Sequence, residues 1–199
     1  MQLKNARILL TGAGGGLGQE LARQLSAAGA TLLLAGRDVA KLEALRTELP
    51  AGASIVTADL TTPEGITAIS RAAQVAGINV LINNAGTSAF GLVEQQEWKS
   101  IEQVLGTSLA APLRLTHALL PWLRAQPQAA IVNVGSTFGS LPFPGFAAYS
   151  AAKAGLRGFS QALRRELADT QVSVIHISPR AIRTPMNSVL GFIEMLSHT

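Results

Sequence analysis

"ARILLTGAGGGLGQELARQL", residues 6–25, decides the fold. Its first part, "ARILLTG", is an apolar run of strand length. Its last part opens the helix-like "GLGQELARQLSAAG". A glycine-rich turn joins the two. No Gly-Lys-Ser/Thr follows, so it is not a Walker loop, and no register meets a strict G-x-G-x-x-G spacing. The spacing present is T-G-x-x-x-G-x-G, made by Thr11, Gly12, Gly16 and Gly18, with Gly14 and Leu17 inside the same loop. A turn without side chains, placed after a strand and before a helix, lets a pyrophosphate approach backbone N–H groups at a helix start. These six residues are therefore candidate cofactor contacts.

The same alternation continues outward. "ATLLLAG", "ASIVTADL", "INVLINNAG", "AAIVNVGS" and "QVSVIHISP" read as further strands, giving six in all. Helix-like runs lie between them, including one long region over residues 97–125 and another carrying Tyr149. Asp38 stands where it can cap the helix after strand two. Continuous Val/Ile/Leu strands are buried on both faces. Strand–helix repetition with right-handed crossovers predicts an α/β, Rossmann-like fold, a doubly wound parallel sheet with helices on both faces. No linker or repeat interrupts it, so residues 1–199 read as a single dinucleotide-binding domain with its catalytic residues built in.

Composition limits the function. The chain has 199 residues, 48% hydrophobic and 14% charged, enough for one sizeable core. Cysteine is absent, and His117, His176 and His198 are scattered, so neither a disulfide framework nor a metal site is expected. No stretch approaches a membrane span and the start does not read as a signal peptide, so a cytoplasmic location is the expectation. The net charge of +4 is spread along the chain, with only Arg164 and Arg165 adjacent. That favours an anionic cofactor over nucleic acid.

"YSAAK", residues 149–153, contains the only tyrosine. On a helix, Tyr149 and Lys153 share a face. A free phenol has a pKa near 10, and a nearby ammonium favours phenolate, so the pair is expected to lower the phenol's pKa and make it a proton carrier. At the end of strand two, "LAGRD" has Gly36 where an acid would hold NAD ribose hydroxyls, followed by Arg37. A guanidinium suits the 2′-phosphate of NADP, so NADP is favoured over NAD.

In these motifs the chain resembles the short-chain dehydrogenases/reductases. The resemblance rests on the glycine spacing, "ADL" at 58–60, "NNAG" at 83–86, Ser136, "YSAAK", and "SPRAIRTPM" at 178–186, in that order. It implies an oxidoreductase moving a hydride between a nicotinamide and a carbonyl or secondary alcohol. In that resemblance Tyr149 moves the proton, Ser136 donates to the substrate oxygen and Lys153 also holds the nicotinamide ribose. Asp59 and Leu60 are implied as adenine contacts. Asn83, Ala85 and Gly86 are implied on the cofactor side of strand four, and Pro179, Ile182 and Thr184 against the nicotinamide ring. The two long helices imply a homodimer. Ser88, Ala89, Phe90, Phe138, Leu141 and Phe143 would line a small, mostly apolar substrate pocket.

The chain departs from that pattern in three places. Ser108 stands where the family usually has an asparagine whose backbone holds a relay water. Arg180 replaces the usual glycine after Pro179. After residue 186 only "NSVLGFIEMLSHT" remains, read as a closing helix, so that strand six is expected at an exposed edge. A dinucleotide-binding protein without turnover is the alternative these departures favour; the Ser136–Tyr149–Lys153 set favours an enzyme.

Overall fold

The computed structural model describes residues 3–50 and 52–179. Arg180, Ile182, Thr184 and the expected closing helix lie outside the described residues. The described strands are β1 (Arg7–Thr11), β2 (Thr31–Gly36), β3 (Ala53–Thr57), β4 (Val80–Asn83), β5 (Ala129–Val134) and β6 (Val172–Ile177). They form one parallel sheet in the order β3-β2-β1-β4-β5-β6. The helices are α1 (Gly16–Ala27), α2 (Val39–Glu48), α3 (Pro63–Val75), α4 (Trp98–Leu105), α5 (Ala111–Arg124) and α6 (Ala147–Glu166).

Strand alternation builds two cores. Ile8, Leu10, Leu32, Leu34, Val80 and Ile82 face α1 and α2, where Leu21, Leu25, Leu42 and Leu45 meet them. Their neighbours Leu9, Leu33, Leu81 and Ile131 face α3, α5 and α6. Central strands with both faces covered explain why the sequence shows unbroken apolar runs rather than alternation.

Local chemistry sets several helix starts as expected. Asp38 accepts from the Lys41 N–H at 3.1 Å. Thr62 accepts from Gly65 N–H at 3.0 Å, with Pro63 opening α3. The long region 97–125 is not one regular helix. Between α4 and α5 the chain makes a π turn at Gly106–Ala110, where Ala111 N–H reaches back to the Gly106 carbonyl. Pro112 supplies the reason, because it has no N–H to give the carbonyl of Ser108 four residues earlier.

The strand order reverses between β1 and β4. The chain builds β2 and β3 on one side and then crosses to β4, β5 and β6 on the other. A crevice opens beyond the carboxyl ends of β1 and β4, which is where ligands sit in sheets of this kind.

Candidate active site

The crevice is a cleft of about 670 Å³. Gly12, Gly14, Gly15, Gly16, Leu17 and Gly18 form its floor beside β1. Gly12 has φ +66°, and a Cβ there would stand 2.8 Å from Ala85 Cα, so the turn requires glycine twice over. Gly16 opens α1 and has nothing within 4 Å of where its Cβ would be. This side-chain-free cradle at a helix N-terminus fits a pyrophosphate.

Arg37, Asp59, Leu60, Ala85 and Gly86 line the cleft as expected, as does Pro179. Asp59 Oδ1 accepts from the Thr61 N–H and hydroxyl at 2.8 and 2.7 Å. These bonds, helped by the Arg37 charge and opposed by burial, hold its carboxyl below the usual value. Lys41 also lines this end, although the sequence reading assigned it no role. The available signal was its position four residues beyond Arg37, in the first turn of α2.

Three expected site residues are not on the cleft. Thr11 is 1% exposed, and its hydroxyl accepts from Asn84 N–H and Ala85 N–H, both at 3.0 Å, while donating to Ile82 O at 3.2 Å. It fastens the end of β1 to the end of β4. Asn83 points into the protein, donating to Asn133 Oδ1 at 2.8 Å and Thr116 Oγ1 at 3.2 Å. Asn84 lines the cleft in its place. Ser108 is fully buried; its hydroxyl accepts from Thr87 N–H at 3.0 Å and donates to Thr87 O at 2.8 Å. Its side chain is thus committed to pinning the loop after β4.

Ser136, Tyr149 and Lys153 line the other end of the same cleft. Helix α6 carries Tyr149 and Lys153 one turn apart, and Ser136 follows the end of β5. Lys153 is 3% exposed, and its Nζ donates to Val134 O at 2.7 Å. Burial lowers its pKa to about 8. The absence of a side chain at Gly86 keeps this ammonium open to the cleft, since a Cβ there would lie 3.5 Å from Nζ.

The expected lowering of the phenol's pKa is not found. Burial pushes Tyr149 up, and a hydrogen bond with Ser136 opposes that shift. The ammonium lies 5.7 Å from the ring centroid, directed to the Val134 carbonyl. The phenol is therefore a protonated acid at neutral pH.

Of the expected substrate-pocket residues, Ser88 lines the cleft, whereas Ala89, Phe90, Phe138, Leu141 and Phe143 do not. The phenylalanines gather beside it. Phe138 meets the Tyr149 ring edge-on at 6.2 Å, stacks on Phe143 at 5.8 Å and contacts Phe146 at 5.1 Å. Phe90 joins through Phe146 at 5.3 Å. Phe146, which the sequence reading did not single out, links this cluster.

A parallel doubly wound sheet with a glycine-floored cleft and a Ser–Tyr–Lys group at its mouth defines a dinucleotide-fold oxidoreductase architecture. The family model described as "short chain dehydrogenase" matches residues 6–191. Nodulation protein G of Rhizobium sp. (strain N33) is 34% identical over 192 residues, spanning 96% of this chain and 78% of that protein. Dehydrogenase/reductase SDR family member 7B of Mus musculus is 38% identical over 195 residues, and the match takes in 93% of this chain but 60% of the mouse protein. Among solved structures, a metagenomic short-chain oxidoreductase in complex with NADP superposes with a TM-score of 0.91 at 30% identity, covering 100% of this chain and 93% of that one. The chain belongs to the short-chain dehydrogenase/reductase family.

Proposed function

We propose that this chain is an NADP-dependent oxidoreductase that transfers a hydride between the nicotinamide and a carbonyl or secondary alcohol. The carrying observation is the convergence of Ser136, Tyr149 and Lys153 on the cleft that the glycine loop floors. The NADP bound by the metagenomic relative supports a nicotinamide cofactor.

Gly14, Gly16 and Gly18 would hold the pyrophosphate and Asp59 and Leu60 would flank the adenine. Arg37 and Lys41 would face a 2′-phosphate, and Lys153 with Pro179 would bound the nicotinamide riboside. The cofactor, when bound, supplies or accepts the hydride. Tyr149 donates its proton to the substrate oxygen during reduction, a direction suited to a phenol whose pKa is raised. The Ser136 hydroxyl stabilises charge developing on that oxygen. Lys153, titrating at about 8, returns a proton toward the phenolate. The Ser108 carbonyl, which Pro112 has no N–H to serve, would be the backbone acceptor for a relay water. The phenylalanine cluster beside Tyr149 favours an apolar carbonyl compound as substrate.

Fluorescence titration with NADPH, followed by absorbance decay with a panel of carbonyl compounds, tests this reading. Wild type is expected to bind and turn over, and Tyr149→Phe to bind with kcat reduced by about a hundredfold or more. Binding without turnover in both proteins would favour a dinucleotide-binding role instead.

A further inference from the structure

We infer that His176 is a positioning residue for the reacting end of the cleft, holding the Val134–Gly135–Ser136 turn in place from the neighbouring strand. The inference rests on the proposed roles of Ser136, Tyr149 and Lys153.

His176 lies on β6, opposite Asn133 of β5. Its partner is Ser160, a fully buried residue of α6. The Ser160 hydroxyl gives its proton to Leu156 O at 2.6 Å. Its lone pairs then receive Asn133 Nδ2 at 2.9 Å and His176 Nδ1 at 3.2 Å. This assigns the Nδ1–H tautomer and leaves Nε2 as an acceptor, 3.4 Å from the Ser178 hydroxyl. Asn133 Oδ1 accepts from Asn83, which also reaches Thr116. One buried polar chain therefore links β6, α6, β5, β4 and α5, and it approaches the surface at His176.

The imidazole's other edge decides its role. A Cβ at Gly135 would collide with His176 Nε2 and stand 2.6 Å from Cε1. Gly135 thus owes its identity to close packing, since its φ is not in the left-handed region: the imidazole crowds its Cβ position most, and the Ile177 carbonyl oxygen would stand 2.9 Å from it. Gly135 N–H also bonds to Ile177 O at 2.6 Å, the residue after His176. The residue before Gly135, Val134, accepts the Lys153 ammonium. The residue after it is Ser136. A side chain that fixes Gly135 therefore sets the acceptor of the lysine and the origin of the serine hydroxyl together.

Burial, then charge, keeps the ring neutral. Burial lowers its pKa first, and the charges acting on it are Lys153, Arg157 and Arg164, all cations of α6. No carboxylate acts in the opposite sense among those groups. Arg164 itself is tied to Val174 O at 2.8 Å, a second tie between α6 and β6 two residues before His176.

The test uses His176→Asn, which keeps a donor near the Nδ1 position; His176→Val, which keeps bulk alone; and Gly135→Ala in both the wild-type and His176→Ala backgrounds. With folding verified by melting curves, His176→Val is expected to lower kcat by about tenfold while the NADPH Kd stays within about twofold. His176→Asn is expected to recover most of the loss. Gly135→Ala is expected to be damaging in the wild-type background and clearly less so in the His176→Ala background, where only the Ile177 carbonyl oxygen still crowds the methyl. Wild-type kcat in His176→Val, equal impairment in His176→Asn and His176→Val, or the same Gly135→Ala cost in both backgrounds would overturn the inference. Ring-nitrogen NMR separates this inference from the proposed catalysis. If wild type shows no turnover, an Nδ1–H ring whose replacement by valine moves the Gly135 and Ser136 amide resonances upholds the positioning role. An Nε2–H ring or unmoved amides overturn it.

Discussion

Lys153 is bonded to the Val134 carbonyl at 2.7 Å, not to the phenol one turn before it, and the whole side chain is buried. One strong acceptor satisfies an ammonium that has lost most of its water. Burial therefore dominates, and the group titrates at about 8 where a free lysine titrates at 10.5.

That difference is a stability statement. Below pH 8 both folded and unfolded chains carry the proton, and the folded chain bears the whole cost of burying it. As pH rises from about 8 toward 10.5, the folded chain releases its proton first and stability increases across that window. Lys153→Met is expected to abolish turnover yet stabilise the protein at pH 7 by on the order of 1–2 kcal/mol, after allowing for the unpartnered Val134 carbonyl. Denaturant unfolding at pH 7 and pH 10 checks this. A variant less stable than wild type at pH 7 would show that the carbonyl bond outweighs desolvation.

The Thr11 hydroxyl serves three backbone groups across two strands. Thr11→Val keeps the shape and removes all three bonds. It is expected to cost about 2–4 kcal/mol in unfolding free energy and to weaken NADPH binding, because Asn84 and Ala85 lose their tether. Thr11→Ser, which restores the acceptor, is expected to return most of both. Equal stability of the valine variant and wild type would remove the clamp from the account.

Fold and site were legible to different depths, for physical reasons. The strands were readable because a sheet covered on both faces demands uninterrupted apolar runs, and "ILL" and "LLL" leave little alternative. Gly12 and Gly18 were readable because close backbone approach tolerates no side chain. Thr11 and Asn83 were placed in the right neighbourhood and read as cofactor contacts, whereas their side chains bond within the protein. Membership of a motif at a strand end does not say which way a side chain turns, and both turn inward. The phenol's raised pKa was hidden because helical spacing puts Lys153 beside Tyr149 without revealing that Val134 holds the amine. The π turn followed from Pro112, but a proline near a helix start reads equally well as an ordinary first-turn residue.

Gly12 and Gly16 separate folding from binding. A methyl at Gly12 meets Ala85 Cα at 2.8 Å on a left-handed backbone, whereas a methyl at Gly16 meets nothing within 4 Å. Gly12→Ala is expected to lose about 1–3 kcal/mol of stability as well as cofactor binding. Gly16→Ala is expected to melt like wild type and to bind NADPH more weakly, its methyl standing where the pyrophosphate approaches. Unchanged affinity in the Gly16 variant would place the cofactor elsewhere than on this loop.

Arg37 and Lys41 give the adenosine end of the cleft two cations, and Asp38 stands between them. Asp38 is occupied, its Oδ1 capping α2 through Lys41 N–H at 3.1 Å and its Oδ2 lying 3.6 Å from the Lys41 ammonium. It is therefore drawn to the helix rather than toward a ribose, and Gly36 offers no carboxylate. On the proposed NADP reading, the guanidinium at 37 would face the 2′-phosphate. Replacing it should affect the phosphorylated cofactor selectively. Arg37→Ala is expected to raise the NADPH Kd by about tenfold, the worth of one charge-assisted pair, while leaving the NADH Kd within about twofold. Adding Lys41→Ala should deepen the NADPH loss, and raising the salt concentration should reproduce part of it in wild type. Equal weakening toward both cofactors would mean that Arg37 serves the pyrophosphate or the fold, and the preference for NADP would lose its basis.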